Sequence, residues 1–363
     1  MNTSYIVDYK ITKHNTAGYK APEDVKRICE KLGFKKYSFP SYPGIRGFSF
    51  KKVWSLMLSN IYWLKMGAVL SEGDILLYQH PSYGTRTTLF HLKRIKKKKA
   101  VKFIAFIHDL ESLRGGIAGV INNHEKTFNI ADNELLKQFD VIVCHNTKMK
   151  EYLIQKGFIS EIIVCLEMFD YLYDGVLEQQ ERKEQKTVVI AGSLAKGKSE
   201  YIYKLFDKGL NNGISVNMFG NGVQTDQLKE EMQYFGSYSP DEIPGRIKGD
   251  FGLVWDGNSI DTCDGNTGEY LRFNNPHKLS LYLAVGMPVI VWSQSAAAEF
   301  VKHNNVGITV DNLRNLSETI NSISESDYMD MKKNAELISE KVRTGYYSER
   351  AITKAISICN SNS

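Results

Sequence analysis

Short runs of apolar residues recur along the chain and alternate with longer stretches of helical periodicity. In the first half of the chain the runs occupy residues 4–9, 74–81, 102–109 and 140–146. In the second half they occupy residues 186–193, 215–220, 232–237, 251–257, 287–292 and 306–310. Near-continuous Val, Ile, Leu and Phe indicate strands that are buried on both faces, as in a parallel sheet. The alternation therefore predicts an α/β protein.

A charged and weakly periodic segment, residues 174–186, separates the two sets of apolar runs. We interpret it as a linker or an exposed helix between an N-terminal domain, residues 1–173, and a C-terminal domain, residues 187–340. Each domain would be a doubly wound parallel sheet. Residues 341–363 have a helical pattern, and we interpret them as a helix able to return to the N-terminal domain. A length of 363 residues fits two domains.

Composition and charge exclude several classes of protein. The chain is 42% hydrophobic and 24% charged, which is an ordinary globular balance. Its net charge of +5 is modest and no RNA-binding, zinc-finger or basic-zipper signature is present, so we expect no nucleic acid as a partner. The five cysteines are scattered without a C-x-x-C pair. That pattern indicates a reducing compartment, and neither a zinc knuckle nor a disulfide framework.

The N-terminus and the longest apolar run bear on where the protein works. The first residues lack a basic region followed by an apolar run, so we expect no signal peptide. The longest strongly apolar run without a charge, residues 53–64, is shorter than the roughly 20 residues that span a bilayer. We therefore expect a cytoplasmic protein.

Polar side chains stand where several predicted strands end. In the N-terminal domain these are Gln79, His80, His108, Asp109, His145 and Asn146. In the C-terminal domain the strand ends run into Ser193 and Asp256. Ligands of open α/β sheets bind beyond the carboxyl ends of the strands. Two such rims facing across a cleft would form one site between the domains; the alternative is that polar residues simply mark strand ends.

The stretch Asn275-Pro276-His277-Lys278 places cations where a helix dipole disfavours them. Asn275 followed by Pro276 predicts the start of a helix. The first turn then holds His277 and Lys278 and no carboxylate, and a cation there costs about 0.3–1 kcal/mol. A bound phosphate or pyrophosphate would make a cation favourable at this position, because backbone amides, Lys278 and His277 would converge on the anion. The alternative is a solvated lysine on an exposed turn.

A basic, glycine-containing loop follows the first predicted strand of the C-terminal domain. The loop AGSLAKGKS, residues 191–199, brings Ser193, Lys196 and Lys198 into one short turn. It matches neither the P-loop pattern nor G-x-G-x-x-G. A buried strand followed by a glycine turn with lysines nevertheless fits a rim that faces phosphate.

The loop after the first predicted strand of the N-terminal domain contains the residues Thr16, Ala17 and Gly18. Such residues would let the backbone approach a ligand closely. The alternative is an ordinary loop between a strand and a helix.

No D-x-D triplet occurs anywhere in the chain. Metal-dependent sugar transferases need such carboxylates to hold a divalent ion against a diphosphate. Without them, the charge of a diphosphate leaving group must be stabilised by lysines and helix amides. We therefore expect no metal and no cofactor.

The pair His108-Asp109 at a predicted strand end is a candidate general base with an adjacent partner. Such a base takes a proton from an acceptor hydroxyl as the new bond forms. Asp109 also precedes the string LESL and is placed to cap a helix that begins there. The two roles are not exclusive.

Two neighbouring segments combine cations with aromatic and apolar residues. Residues 49–67 carry two tryptophans among Leu, Met and Lys, and residues 93–99 read KRIKKKK. Together they suggest a face for anionic lipid headgroups, worth about 1 kcal/mol per basic residue near the surface. The alternative is an ordinary core helix beside a solvated run of charge. We favour the core helix for the first segment and the lipid contact for the second.

Four strings of the chain resemble those of one family of enzymes. They are FIHDLESLRGG (106–116), FDVIVCHNTKMKEYL (139–153), FGLVWDGNS (251–259) and YLRFNNPHKLSLYLAVGMPVIVW (270–292). With them the chain resembles the bacterial galactofuranosyltransferases of O-antigen and surface-polysaccharide assembly. More distantly it is similar to the glucosyltransferases that modify streptococcal adhesins. The resemblance extends over most of the chain, and FNNPHK and HD…LRGG are its specific strings.

The resemblance implies a GT-B fold, in which two Rossmann-like domains face each other across a cleft. It implies a UDP-sugar donor held mainly by the C-terminal domain, no essential metal, and inverting transfer to an acceptor hydroxyl. Asp109 would be the base, with His108 and the Thr16-Ala17-Gly18 loop near the sugar. The residues implied to contact the UDP-sugar elsewhere are Lys278, His277, Asn275, Ser193, Lys196, Lys198, Ser237, Tyr238 and Asp256.

The sequence thus leads to one main hypothesis and two alternatives. The main hypothesis is transfer of galactofuranose from UDP-galactofuranose to a glycan acceptor, which we expect to be lipid-linked. The first alternative is the same chemistry with UDP-glucose or another UDP-hexose. The second is a catalytically silent partner of another transferase. We also consider peripheral contact with anionic lipid at the inner membrane and assembly into a homo-oligomer.

Overall fold

A computed structural model describes residues 2–9, 17–39, 50–81, 84–116, 130–177 and 185–361. The chain divides into two compact units, and each is a layered α/β structure. The first unit comprises Met1–His14, Pro22–Leu166 and Ser348–Ser363. The second unit comprises Asn15–Ala21 and Glu167–Tyr347.

The first unit is built on a six-stranded parallel sheet in the order β2-β1-β3-β4-β5-β6. Its strands are β1 (Ser4–Tyr9), β2 (Lys35–Phe39), β3 (Ile75–His80), β4 (Lys102–Ile107), β5 (Val141–Cys144) and β6 (Ile163–Cys165). Its described helices are α1 (Ala17–Lys31, whose first turn belongs to the second unit), α2 (Phe50–Val69), α3 (Thr85–Lys98), α4 (Glu111–Gly116) and α5 (Thr147–Gln155). The central strands β3, β4 and β5 are almost entirely buried, which explains their continuous apolar sequence.

The second unit contains another six-stranded parallel sheet, in the order β12-β11-β10-β7-β8-β9. Its strands are β7 (Lys186–Ser193), β8 (Ile214–Asn221), β9 (Met232–Tyr234), β10 (Phe251–Val254), β11 (Val289–Trp292) and β12 (Gly307–Val310). Its described α-helices are α6 (Gly265–Tyr270), α7 (His277–Ala284), α8 (Ala297–Asn304), α9 (Leu316–Asn321) and α10 (Glu325–Thr344). The fold class predicted from the apolar runs is confirmed: both halves are doubly wound, Rossmann-like parallel sheets.

Two short strands were absent from the sequence prediction. β2 lies at an edge of its sheet, and it begins with the exposed residues Lys35 and Lys36. Strand β6, at the other edge, has three residues. The polar start of β2 and the shortness of β6 each give a weak apolar signal in the sequence.

The passage from the first unit to the second comes after Leu166, whereas the sequence prediction places the linker at residues 174–186. The residues in between are held by the second unit. The Asn275 side chain donates to the Glu167 carbonyl at 3.0 Å, and the Tyr171 amide donates to the Val342 carbonyl at 3.0 Å. Tyr171 also donates its hydroxyl proton to the Pro240 carbonyl at 2.6 Å.

The C-terminal helix α11 (Tyr346–Ser361) follows α10 after a single residue, Gly345, which lies at a φ of 89°. Ser324 caps the start of α10 by accepting the amide of Asp327 at 3.1 Å. From Ser348 onward α11 belongs to the first unit, where Glu349 pairs with Lys31 at 3.4 Å. Among the described helices, none has the length and apolarity needed to cross a bilayer.

Candidate active site

The order of strands in the second sheet places the ends of β7 and β10 side by side at the point where the winding direction reverses. In open α/β sheets this switch point is where ligands bind. β7 ends at Ser193, and Asp256 follows the end of β10. The two ends are joined, because the Gly257 amide donates to the Lys198 carbonyl at 2.7 Å. The basic loop and Asp256 therefore lie next to each other.

Lys278 points at the same strand ends. Its ammonium group lies 2.6 Å from Asp256 Oδ1 and 2.9 Å from the Trp255 carbonyl oxygen. The lysine and aspartate side chains are only 12% and 7% exposed, so this ion pair is largely removed from water. Asp256 therefore offsets the unfavourable position of Lys278 in the first turn of α7.

The start of α7 differs from the predicted one. The helix begins at His277, Pro276 occupies the N-cap position, and no side chain caps it. Asn275 was predicted to be the cap, but it lies one residue before the N-cap position. Its side-chain amide donates to the Glu167 carbonyl at 3.0 Å.

Asp256 is enclosed by the core of the second unit. It is 5% exposed, and the rings of Tyr201 and Tyr282 near it are fully buried. Burial, and after it the charge of Asp256, raises the pKa of Tyr201 well above its ordinary value. The Tyr282 hydroxyl accepts the amide of Ala191 at 2.7 Å, which ties α7 to β7. A side chain at Gly252 would collide with the Tyr282 ring, so this strand needs glycine there.

His277 does not supply the positive charge that the sequence suggested. Its ring packs against Phe169 and Tyr171, with centroid distances of 5.0 and 6.5 Å. Both ring nitrogens are buried without a hydrogen-bond partner among the described residues. Burial, reinforced by the charge of Lys20, lowers the pKa of His277 to about 4. The imidazole is therefore neutral at pH 7 and offers one donor and one acceptor.

Lys20 is a residue that the sequence reasoning missed. It lies in the first turns of α1, is 2% exposed, and donates to the Leu172 carbonyl at 2.7 Å. Its ammonium group also pairs with Asp241 at 3.1 Å and lies 5.1 Å from the Tyr171 ring centre. The sequence carried only one signal for it, a lysine just after the small residues 16–18.

The predicted loop Thr16-Ala17-Gly18 is described only in part. Thr16 lies outside the described residues, Ala17 is the first residue of α1, and Gly18 is exposed. Small residues at this point therefore start a helix.

The basic loop after β7 is an exposed turn closed by its own hydrogen bonds. Ser193 and Lys196 are exposed and Lys198 is partly exposed. The Ser199 hydroxyl donates to the Ser193 carbonyl at 2.7 Å, and the Leu194 amide donates to the Asn221 carbonyl at 2.8 Å. The loop therefore presents Lys196 to solvent beside the end of β8.

The loop Phe235–Tyr238, which holds the implied donor contacts Ser237 and Tyr238, follows β9 and packs on β8. Phe235 stacks on Phe219 at a centroid distance of 5.0 Å with 9° between the planes. The Gly236 carbonyl accepts the Gly220 amide at 2.8 Å. Arg246 lies 5.7 Å from the centre of the partly exposed Tyr238 ring, and Ser237 is exposed. The loop thus offers aromatic and polar groups on the same rim of the sheet.

In the first unit, the predicted base Asp109 forms an ion pair. Its Oδ2 lies 2.9 Å from Arg114 Nη1, and Glu111 lies 3.8 Å from the same nitrogen. Burial is the main cause that raises the pKa of Glu111, and the nearby charges of Asp109 and Asp132 add to it. His108 contacts Gln79 at 2.7 Å. Two carboxylates share one arginine here, and the sequence reasoning identified only the first.

A second carboxylate missed in the sequence lies behind this group. Asp132, in a short helical turn, is 4% exposed and lies 2.9 Å from the Nε2 atom of the buried His80. Its other oxygen accepts the amide of Ser112 at 2.6 Å, in the first turn of α4. Asp132 therefore accepts a hydrogen bond from the start of α4. The sequence suggested Asp109 for that role.

Within the described parts of the chain, His, Cys, Asp and Glu do not group in threes that would hold a metal ion. Lys278, the Lys196–Lys198 turn and the helix start of α7 bring positive charge to the rim of the second sheet. Such an arrangement suits an anionic ligand such as a diphosphate.

Sequence families agree with this architecture. The N-terminal domain of the glucosyltransferase 3-like family matches residues 3–168, and its C-terminal domain matches residues 188–355. The chain belongs to the glucosyltransferase 3-like family. Both units of the fold thus correspond to domains of one glycosyltransferase family.

Two relatives of similar length are named for different activities. The chain is 30% identical to the β-1,6-galactofuranosyltransferase WbbI of Escherichia coli strain K12, over 94% of each chain. It is 27% identical to glucosyltransferase 3 of Streptococcus gordonii, over 93% of each chain. The chain is therefore similar over more than nine tenths of its length to both kinds of enzyme.

A solved structure has the same fold. Anabaena Alr3699/HepE in complex with UDP-glucose superposes with a TM-score of 0.60 at 12% identity, over 98% of this chain and 99% of that one. The fold is that of the GT-B glycosyltransferases, as the resemblance implied. The protein is a glycosyltransferase of the GT-B type.

Proposed function

We propose that the protein transfers galactofuranose from UDP-galactofuranose to a hydroxyl of a glycan acceptor, with inversion at the anomeric carbon. The observation that carries the proposal is its 30% identity to a β-1,6-galactofuranosyltransferase over 94% of both chains. A UDP-sugar donor is supported by the HepE structure, which holds UDP-glucose. The acceptor is proposed to be lipid-linked and the reaction cytoplasmic.

The donor diphosphate is proposed to lie against the rim of the second sheet. Lys278 and Lys196 would supply positive charge, and the backbone amides at the start of α7 would donate hydrogen bonds. Asp256 holds the ammonium group of Lys278 in place. Neutral His277 would donate a single N–H, and the Phe235–Tyr238 loop would contact uracil. A preorganised set of this kind stabilises the charge that develops on UDP without a metal.

Asp109 is proposed to accept the proton of the acceptor hydroxyl. As that oxygen bonds to the anomeric carbon, the bond from this carbon to the UDP oxygen breaks, and UDP leaves with the electron pair. Arg114 keeps the Asp109 carboxylate oriented at 2.9 Å. Glu111, whose pKa is raised, is the neighbouring group able to take a proton onward.

A donor screen tests the proposal. Thermal shift is measured with UDP, UDP-galactofuranose, UDP-galactopyranose and UDP-glucose, and the best donor is then incubated with a galactose-terminated acceptor for product analysis. We expect the largest stabilisation, and a furanosyl product, with UDP-galactofuranose. A glucosyl product from UDP-glucose would replace the proposed donor.

UDP-glucose is the second candidate donor, because of the similarity to glucosyltransferase 3. Donor choice depends on a few contacts, which the common fold does not determine. A third possibility, a catalytically silent partner protein, would bind no UDP-sugar at all. Any UDP-sugar that raises the melting temperature argues against that role.

A further inference from the structure

Helix α2 is apolar on two opposite faces. One face is in the core of the first unit, where Trp63 and Met66 are completely buried. The opposite face carries apolar side chains at intervals of three and four residues, all exposed. These are Phe50 (89%), Val53 (40%), Trp54 (62%), Met57 (53%), Ile61 (43%) and Leu64 (48%). Surface helices of soluble proteins are usually polar on the side away from the core.

Helix α3 lies beside α2 and extends this surface. His91 Nε2 lies 2.9 Å from Asn60 Oδ1, and Lys99, just after α3, donates to the Gly67 carbonyl at 2.9 Å. The exposed face of α3 includes Phe90, which is 59% exposed. It continues at helical spacing with four exposed cations, Lys93, Arg94, Lys97 and Lys98.

The two helices carry a single sign of charge. Neither residues 50–69 nor residues 85–98 contain an Asp or a Glu. Among the other lysines of the run, Lys96 is paired with Asp140 at 3.0 Å and Lys99 donates to backbone carbonyls. Within the described residues Lys93, Arg94, Lys97 and Lys98 form no ion pair. They are therefore available to an anionic partner.

We propose that these exposed residues of α2 and α3, here called the α2–α3 face, bind the surface of an anionic lipid bilayer. The apolar side chains of α2 would enter the boundary between headgroups and acyl chains, with the helix lying in the plane of the membrane. The cations of α3 would contact lipid phosphates. This assigns a membrane role to a helix for which the sequence favoured burial in the core.

Charge favours a bilayer over a second copy of the chain as the occupant. A two-fold symmetric contact would bring the same face of two copies together. The cations of one α3 would then approach those of the other with no carboxylate in either helix to offset the repulsion. An anionic bilayer instead offers apolar volume and negative charge in adjoining layers.

The intrinsic fluorescence of the full chain gives a direct test. The chain has four tryptophans, and three of them, Trp63, Trp255 and Trp292, are fully buried, whereas Trp54 is exposed. Vesicles of equimolar phosphatidylglycerol and phosphatidylcholine should shift the emission to shorter wavelength and protect it from acrylamide. The Trp54→Phe variant should still bind vesicles but lose the shift. The proposal would be overturned if the wild type binds the vesicles and neither its emission wavelength nor its quenching by acrylamide changes.

Co-sedimentation with the same vesicles tests the two parts of the face separately. Trp54→Glu/Met57→Glu should weaken binding about tenfold or more. Lys97→Gln/Lys98→Gln should weaken it by a similar factor, since each cation near the surface is worth about a fivefold change. The matched controls Met329→Glu/Leu337→Glu and Lys302→Gln/Lys354→Gln alter equally exposed residues outside the face and should bind as the wild type does.

Two other outcomes count against the proposal. Equal binding to pure phosphatidylcholine would remove the role of the cations. A wild-type dimer in solution that Trp54→Glu converts to a monomer would show that a second copy covers the face. The assays contain neither donor nor acceptor, so their outcome is independent of the proposed transferase activity.

Discussion

Lys278 occupies a position that the helix dipole disfavours, and the structure supplies two reasons for its presence. The first is Asp256, which pairs with it at 2.6 Å in a largely buried setting. The second is the proposed diphosphate, which would be attracted to the same ammonium group and to the amides of α7. Asp256 lies 22 residues before Lys278 in sequence, so only the fold brings them together.

Replacing Lys278 separates these two roles. We expect Lys278→Ala to weaken UDP binding about tenfold or more, which corresponds to about 1.4 kcal/mol, because a charge-assisted contact is lost. It should also lower the free energy of unfolding by on the order of 3 kcal/mol, because Asp256 is left without its cation. Calorimetric titration with UDP and urea unfolding measure the two effects.

Two variants serve as controls for that experiment. Lys302→Ala, which removes an exposed lysine from α8, should change neither quantity. Asp256→Asn keeps the lysine but removes the charge that holds its ammonium group in place, so UDP affinity should fall by less than it does in Lys278→Ala. An affinity that is unchanged in Lys278→Ala would exclude this residue as a diphosphate ligand.

His277 gives a prediction about acid stability. Burial lowers the pKa of His277 to about 4 in the folded protein, whereas in the unfolded chain it has the ordinary value of 6.5. Between these two pH values the unfolded chain therefore binds more protons than the folded one. The stability that His277 contributes is present above pH 6.5 and is lost as the pH falls toward 4, up to about 3 kcal/mol. His277→Gln should therefore lose less stability than the wild type between pH 7 and 4.5 in urea unfolding.

The control for this comparison is His303→Gln, at an exposed position of α8. It should follow the wild type at both pH values. Parallel curves for His277→Gln and the wild type would mean that the buried ring does not resist protonation.

Asp109 is tested by removing its charge while keeping its shape. Asp109→Asn should reduce turnover about a hundredfold or more, since a general base contributes that much, and should leave UDP affinity unchanged. The measurement is the rate of UDP release with donor and acceptor at saturation. Asp261→Asn is the matched control, because Asp261 also pairs with an exposed arginine, Arg314, at 2.8 Å. Near-normal turnover in Asp109→Asn would shift the role of base to Glu111.

At the scale of elements, the rim of the second sheet depends on close approach of two strand ends. Gly192 and Gly220 face each other at the ends of β7 and β8 with φ values of 127° and 138°. A Cβ built on Gly220 would lie 1.7 Å from the Gly192 carbonyl oxygen. A side chain there would separate the strands at the base of the basic loop.

Gly220→Ala should therefore cost about 3 kcal/mol or more in urea unfolding and should weaken UDP binding. Gly236→Ala is the comparison, because Gly236 also has a positive φ of 93° but has open space around it. It should cost only the backbone strain of about 1–2 kcal/mol. Equal losses in the two variants would show that strain alone, and not the contact between the strands, determines the effect.

At the scale of the whole molecule, the chain contains two parallel-sheet units. Each unit corresponds to one domain of the same glycosyltransferase family. Positive charge on the rim of the second sheet comes from lysines and a helix start. We proposed that these groups take the place of a divalent ion in stabilising UDP.

Transfer should accordingly persist when divalent ions are removed. With EDTA in excess, we expect the rate of UDP release to stay within about twofold of the untreated enzyme, because no step of the proposed reaction needs a metal. A reaction that stops with EDTA and resumes with Mn²⁺ would contradict the proposal. A small loss of rate that sodium chloride reproduces reflects ionic strength acting on the lysines.

The sequence by itself determined the fold class and the main strands, because strands buried on both faces must be continuously apolar, and that pattern is visible in one dimension. It also identified Lys278, Asp256 and Asp109 as candidate residues, because helix starts and strand ends can be located from local signals. It did not reveal strand β2, whose exposed lysines conceal an edge strand.

Only the tertiary structure decided what those residues do to each other. Lys20 and His277 are neighbours although 257 positions separate them in sequence, and burial turns the expected imidazolium into a neutral ring. Asp132 approaches His80, and the second apolar face of α2 remains on the surface. Charge state, pairing and exposure depend on distances and on solvent access, which are properties of the folded chain and have no counterpart in a local pattern of residues.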